Sequence, residues 1–244
     1  MPQHEGPQPE KIRAMFSEIA ENYDLANTVL SAGIHHLWRK AVVKMSGACA
    51  GMSVLDCASG TGDLAIEFAR AVTPLGTPTA GAKVVGTDFC AEMLAPASGK
   101  ATRAGFPLVE FSQADVMNLP YKDNSFDIAS ISFGIRNVAD PIKALSELRR
   151  VVKPGGVVMI LEFGQPALPG VGGLYRFYSN KVLPKIGGLI TGKPQAYEYL
   201  QNSSANFPCR DGFLKLIDSA GGFVSREYKP VSMGIAYIYK AIKA

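Results

Sequence analysis

Cysteine is scarce in this chain, and what there is does not pair by spacing. Cys49, Cys57, Cys90 and Cys209 lie far apart among 244 residues, with no Cys-x-x-Cys. That excludes a zinc framework and a disulfide scaffold, and it suits a reducing cytoplasm. No apolar run reaches the roughly 18 residues of a membrane span. The first ten residues are polar and proline-rich, without the apolar stretch of a secretion signal. The net charge is only +4 and no basic block is present, so nothing argues for nucleic acid. Repeats are absent too. What remains is a chain that is 47% hydrophobic, enough for one sizeable core in one domain.

Periodicity predicts α and β elements in turn. Helices are expected at Lys11 to Asn22 and Ile34 to Met45, with Ile12, Met15, Phe16 and Ile19 on one stripe. Strands are expected at Ser53 to Cys57, Lys83 to Thr87, Leu108 to Ser112, Phe126 to Ser132 and Val157 to Phe163. Between them lie helices at Asp63 to Val72 and Ala91 to Thr102, although Pro96 sits inside the latter. Asp140-Pro141 reads as a helix cap with proline at the first position. Gln165 to Leu200 breaks the alternation with glycine, proline and aromatics, as an inserted cap would. A helix from Asp211 to Ala220 and two strands, near Phe223 to Tyr228 and Ile235 to Ile242, then suggest an antiparallel edge hairpin. The expected fold is α/β, a doubly wound, Rossmann-like seven-stranded sheet. It is one domain: residues 1–46 form a helical segment, 52–163 a cofactor-binding core, 165–200 a cap, and 209–244 the last helix and hairpin.

Val54-Leu55-Asp56-Cys57-Ala58-Ser59-Gly60-Thr61-Gly62-Asp63 runs from a strand through a tight glycine turn into a helix. This is how such a sheet builds a nucleoside crevice at a strand's carboxyl end. Asp88, ending the next strand, stands where an acid takes a ribose diol. Gly60-x-Gly62-x-x-Ala65 formally fits the dinucleotide fingerprint. Asp56 and Asp63 flank that turn, however, and two carboxylates would repel a pyrophosphate. S-adenosylmethionine has a ribose, an ammonium and a sulfonium, and no phosphate, so acids there favour it over NAD. A convincing Tyr-x-x-x-Lys or histidine relay for a dehydrogenase is also missing.

These features resemble the class I S-adenosylmethionine-dependent methyltransferases. Val54-Leu55-Asp56-x-x-x-Gly60-x-Gly62, Asp88, Leu119-Pro120 with Ser125-Phe126-Asp127, and Val152-Lys153-Pro154-Gly155-Gly156 match their motifs. Further segments point to one family. They are Tyr23-Asp24-x-x-Asn27-x-x-Leu30-Ser31-x-x-x-His35-x-x-Trp38, Ser132-Phe133-Gly134-x-Arg136-Asn137-Val138-x-Asp140, and Leu161-Glu162-Phe163. The chain resembles the demethylmenaquinone and 2-polyprenyl-6-methoxy-1,4-benzoquinol C-methyltransferases from about Ile12 onward. It departs from them at Gly164, where serine is usual, at Ala26, and in a longer loop from Thr73 to Ala82.

The resemblance implies methyl transfer from S-adenosylmethionine to a ring carbon of a polyprenylated quinol, in menaquinone or ubiquinone biosynthesis. A non-catalytic cofactor-binding scaffold and a methyltransferase for another small phenol or lipid are the competing readings. Gly60, Thr61, Gly62, Asp88, Asp115, Val116 and Ser132 are expected at the cofactor. Arg136 is a candidate to hold a developing phenolate, or else pairs with Asp140 or Glu147. Asn137 either orients the ring hydroxyl or caps a turn. Tyr23 could donate to the quinol. His35 could act as a base or cap a helix, and Trp38 reads as packing. No metal is implied. The cap, with Arg176, Lys181 and Lys185 among apolar residues, suits a lid at an anionic bilayer surface. The expected location is cytoplasmic and peripheral to the membrane, and a homodimer stays open.

Overall fold

The computed structural model describes residues 8–73, 79–166, 172, 178 and 183–244. Arg176 and Lys181 of the expected lid, and residues 74–78 of the long loop, lie outside them.

The parallel strands are β1 (Ser53–Cys57), β2 (Lys83–Asp88), β3 (Glu110–Gln113), β4 (Phe126–Ser132) and β5 (Val152–Phe163). β6 (Phe223–Val231) and β7 (Ala236–Lys243) complete one sheet of order β3-β2-β1-β4-β5-β7-β6. β7 runs antiparallel to both β5 and β6, as the expected edge hairpin requires. Every residue of β1 is buried, because helices cover both faces of a parallel sheet. Strand order reverses between β1 and β4, which pair from Val54↔Ile128 to Cys57↔Ile131. The crevice at their carboxyl ends is therefore the expected ligand site.

On one face lie α3 (Ile34–Ser46) and α4 (Asp63–Val72), which bury Trp38, Val42, Leu64 and Phe68. On the other, α7 (Pro141–Val151) and α10 (Asp211–Ala220) bury Leu145, Leu148, Phe213 and Ile217. Asp140 caps α7 by accepting from the Lys143 amide at 3.0 Å, as its position before Pro141 predicts. The single helix expected from Ala91 is broken into α5 (Ala91–Leu94) and α6 (Ala97–Arg103), because Pro96 lacks the amide that would continue it.

Above the crevice, α1 (Pro9–Ile19) leads through a short 3₁₀ turn into α2 (Tyr23–Leu30), a helix the sequence reading did not foresee. α8 (Leu183–Thr191) and α9 (Pro194–Asn206) belong to the inserted segment. A third small core of Ile19, Ala26, Ala196 and Tyr197 joins the N-terminal helices to this insertion. Together they roof the carboxyl ends of β1 and β4.

Candidate functional site

Two cavities meet under that roof. The smaller, about 150 Å³, is lined by Gly60, Asp88, Asp115, Val116 and Ser132, among others. The larger, about 490 Å³, is mostly apolar and contains His35, Trp38, Arg136, Phe163 and Tyr197. Phe16, Tyr23 and Phe133 line both. Asn137 lies on the smaller cavity, one residue away from Arg136 on the larger.

In the smaller cavity, Asp88 is held from behind. Its carboxylate accepts from the Gly60 amide at 2.9 Å and the Cys90 amide at 2.9 Å. Burial raises its pKa, and those two amides and that of Phe89 work against the rise. Asp115 accepts from the Met117 amide at 2.8 Å, which sets the turn carrying Val116. Gly60 adopts φ +57°, closed to most side chains. At Gly134 an added Cβ would overlap the Cβ of Ala58. Ala58 and Phe133 themselves take positive φ, 50° and 55°, as the residues following β1 and β4. Such strain gathers where a ligand site needs the backbone turned sharply. Ser132 Oγ is buried with no hydrogen-bond partner among the described residues. A buried hydroxyl left unpaired costs stability, so this atom fits a partner supplied by a nucleoside ligand.

The acids expected to help that ligand directly do something else. Asp56 faces the interior rather than either cavity, and accepts from Ser59 Oγ at 2.8 Å and Ser130 Oγ at 2.7 Å. Burial pushes its carboxyl up to about 6. Asp63 pairs with Arg39 at 2.5 Å and with Lys100. Burial opposes its ionisation, but these two cations outweigh it and hold its pKa below the ordinary value. Thr61 lies off the cavity wall and donates to Asp24 Oδ1 at 2.6 Å, while Lys100 donates to Thr61 at 3.0 Å. Gly62 likewise stands behind the wall, at φ +86° as the N-cap of α4. Asp24, Thr61, Asp63, Arg39 and Lys100 thus latch the N-terminal helices to the glycine turn.

In the larger cavity, Arg136 is buried beside Glu162, not beside the expected Asp140 or Glu147. Asp140 is spent on its helix cap and Glu147 on Arg150. Arg136 Nη1 donates to Glu162 Oε1 at 2.6 Å and to the Phe133 carbonyl at 2.6 Å, and Nε reaches Ser203 at 3.4 Å. The guanidinium also lies over the Phe163 ring, 5.3 Å from its centroid. Asn137 Oδ1 accepts from the Tyr199 hydroxyl of α9 at 3.1 Å, which ties the inserted segment to the end of β4. Burial raises the pKa of Tyr23, with Asn27 the largest opposing influence, so its hydroxyl stays protonated at neutral pH. Trp38 packs as expected, 6.0 Å from Phe133, and its Nε1 donates to Ser232 at 2.9 Å. Phe133 and Phe163 stack at 4.4 Å beside it and give the cavity an aromatic wall.

His35 Nδ1 lies 2.5 Å from Ser31 Oγ, and burial, with Arg39 and His36, lowers its pKa to about 4. His35, His36 and Asp63 come close enough to share a cation, but Asp63 already pairs with Arg39 and Lys100. Glu162, Tyr199 and Ser31 had no assigned role in the sequence reading, although Glu162 and Ser31 lie in its quoted motifs. An acid buried at the end of a central strand was the available signal for Glu162, since such a group requires a partner.

The ubiE/COQ5 methyltransferase family matches residues 5–243. The chain is 62% identical over 234 residues to the ubiquinone/menaquinone biosynthesis C-methyltransferase UbiE of Bdellovibrio bacteriovorus, covering 96% of each chain. It is 44% identical to the demethylmenaquinone methyltransferase of Thermus thermophilus, covering 92% of this chain and 98% of that one. Among solved structures, a SAM-dependent methyltransferase from Thermotoga maritima shares the fold at TM-score 0.62 and 20% identity, over 95% and 99% of the two chains. The [4+2]-cyclase SpnF shares it at TM-score 0.67 and 17% identity, over 98% and 97%. The chain belongs to the ubiE/COQ5 methyltransferase family and is an S-adenosylmethionine-dependent C-methyltransferase.

Proposed function

We propose that this protein methylates a ring carbon of a polyprenylated quinol, with demethylmenaquinol the favoured substrate. The observation that carries this reading is the apolar cavity of about 490 Å³ opening beside the cofactor cavity, with Tyr23 and Phe133 on both. A cavity of that size takes a ring and part of an apolar tail. S-adenosylmethionine supplies the methyl group as an electrophile. The ring carbon gains that methyl, sulfur keeps the electron pair of the broken bond, and one proton leaves the ring.

Asp88 binds the ribose, Asp115 and Val116 the adenine, and Ser132 gains a hydrogen-bond partner from the ligand. Gly60 and Gly62 shape the turn, and Thr61 acts through the latch to Asp24. Arg136, oriented by Glu162, stabilises negative charge on a quinol oxygen as the methyl moves. Tyr23 and Asn137 orient the ring at the junction of the cavities. The roof of α1, α2, α8 and α9 excludes water.

Leu25, Val29, Ile34 and Leu37 on α2 and α3 are exposed, and Val29 and Ile34 also line the larger cavity. α2 packs on α8, where Leu189 is 87% exposed and Lys185 is exposed one turn before it. These side chains support peripheral contact with a bilayer from which a tail enters. Among the described residues no helix is long and apolar enough to cross a membrane. The purified protein, given S-adenosylmethionine and a short-chain demethylmenaquinol, is expected to yield a product one methyl heavier by mass spectrometry. No product from either a naphthoquinol or a benzoquinol would remove the reading.

A further inference from the structure

The hydrogen-bond chain behind His35 determines which ring nitrogen carries the proton. Ser31 Oγ lies 2.6 Å from the Asn27 carbonyl oxygen and 2.5 Å from His35 Nδ1. Each short contact needs a hydrogen between its atoms. The Asn27 carbonyl has none to give, so the single Ser31 hydroxyl hydrogen must point to it. The hydrogen in the second contact must then come from His35 Nδ1. The ring is the Nδ1–H tautomer, and its remaining lone pair is on Nε2. His35 is on the wall of the larger cavity, as are Asn27 and Ser31. The cavity also holds Arg136, which can only donate.

We propose that His35, positioned by Ser31, is the residue that distinguishes the reduced quinol from the oxidised quinone. This rests on the quinol reading above. A hydroquinone carries hydroxyl groups, one of which donates to Nε2. A quinone carries two carbonyls and no hydrogen to donate, so Nε2 would face an oxygen lone pair. Arg136 is served by either form, because both have an oxygen that accepts. An acceptor placed there, and lacking a hydrogen of its own to give, therefore favours the hydroquinone. That choice matters for the chemistry, because only the electron-rich reduced ring is a carbon nucleophile. Burial also keeps the imidazole neutral at physiological pH, so the lone pair stays available. His35 is thus an acceptor that orients a hydroxyl; a base so weakened would take up its proton poorly.

The chain's single tryptophan, Trp38, lines this same cavity and gives a direct readout. Quenching of its emission would be followed as a short-chain naphthoquinol, kept reduced without oxygen, or the matching naphthoquinone is added to the protein with S-adenosylhomocysteine. The wild type is expected to bind the quinol about tenfold to a hundredfold more tightly, the usual effect of leaving one buried partner unpaired. His35→Leu should bring the two affinities together by weakening the quinol. His35→Gln, which keeps an acceptor, should retain part of the preference. Ser31→Ala, which frees the tautomer, should reduce the preference with the fold intact. S-adenosylhomocysteine affinity should be the same in all four proteins. A wild-type preference that persists in both His35→Leu and Ser31→Ala would overturn the proposal. So would equal wild-type binding of quinol and quinone. If the wild type binds neither form yet holds S-adenosylhomocysteine, the quinol reading itself is wrong and the proposal falls with it.

Discussion

Arg136 and Glu162 form an ion pair at 2.6 Å with both side chains almost wholly out of water. Glu162 is the residue after the last β4–β5 pair, Ser132↔Leu161, and Arg136 sits in the 3₁₀ turn Ile135–Asn137 that follows β4. Glu162 also accepts from the Phe163 amide at 2.8 Å, so its carboxylate is fixed on more than one side. The pair holds a cation in an apolar cavity, and each member makes the other tolerable.

Removing one partner of a buried pair strands the other charge, at a cost of roughly 3–5 kcal/mol. Arg136→Ala and Glu162→Ala should therefore both melt early, and loss of turnover in either alone would be ambiguous. The double variant Arg136→Met with Glu162→Leu removes both charges and should regain most of the melting temperature. Its turnover should stay about 10²–10³ lower, the loss typical of one preorganised donor. Thermal melts beside turnover with a short-chain quinol separate the two effects. Near-normal turnover in the double variant would show that the pair serves stability alone.

Ser132 and Asp88 should divide differently between folding and binding. Ser132 Oγ has no hydrogen-bond partner among the described residues. Ser132→Ala should therefore cost the ligand-free protein nothing, while weakening S-adenosylhomocysteine binding about fivefold to tenfold, one neutral hydrogen bond. Asp88→Ala removes the acceptor of the Gly60 and Cys90 amides. It should loosen the glycine turn and lower ligand affinity by about tenfold to a hundredfold. Calorimetry with paired melts reads both quantities. An unchanged affinity in Ser132→Ala would take that hydroxyl out of the cofactor site.

Much of this was legible because it is local. Alternating apolar runs mark the strands, Asp140-Pro141 marks a helix start, and Gly60 marks a turn, each through rules acting within a few residues. The crevice follows once the alternation implies a doubly wound sheet. What escaped depends on partners distant in sequence. Arg136 pairs with Glu162 across neighbouring strands, 26 positions on, whereas the nearer acids Asp140 and Glu147 already serve Lys143 and Arg150. Asp63 lies beside the glycine turn, yet its charge is taken up by Arg39 and Lys100 from two other helices. α2 was hidden because it is only eight residues long, shorter than the window over which a helical stripe can be read.

The Tyr199–Asn137 hydrogen bond should govern how well the inserted segment closes on the substrate. Tyr199→Phe keeps the ring and loses the 3.1 Å contact to Asn137 Oδ1. The expected outcome is a KM for the quinol raised about threefold to tenfold, matching one hydrogen bond, with cofactor affinity unchanged. Unaltered steady-state kinetics would mean that the segment closes without this link.

Two buried groups should oppose each other in the pH dependence of stability. Burial raises Asp56 from its ordinary 3.8 to about 6. Between those values the folded chain holds a proton that the unfolded chain has released, so stability falls as pH rises through this window. His35 is lowered from 6.5 to about 4. Between those values the unfolded chain holds a proton that the folded chain does not, so stability rises with pH. The windows overlap from about pH 4 to 6, and the wild-type profile there should be shallow. Asp88, also raised by burial, adds to the falling side in every variant, apart from Asp88 substitutions. Asp56→Asn keeps a group that accepts from Ser59 or Ser130 but does not titrate, and should leave the rise due to His35. His35→Leu should leave the fall due to Asp56. Urea unfolding at intervals between pH 4.5 and 7, a range set by these shifted values, would give the three profiles. Relative to the wild type, the slope in Asp56→Asn is expected to be more positive and that in His35→Leu more negative. Profiles that run parallel to the wild type would show that neither group titrates in the folded protein as its burial requires.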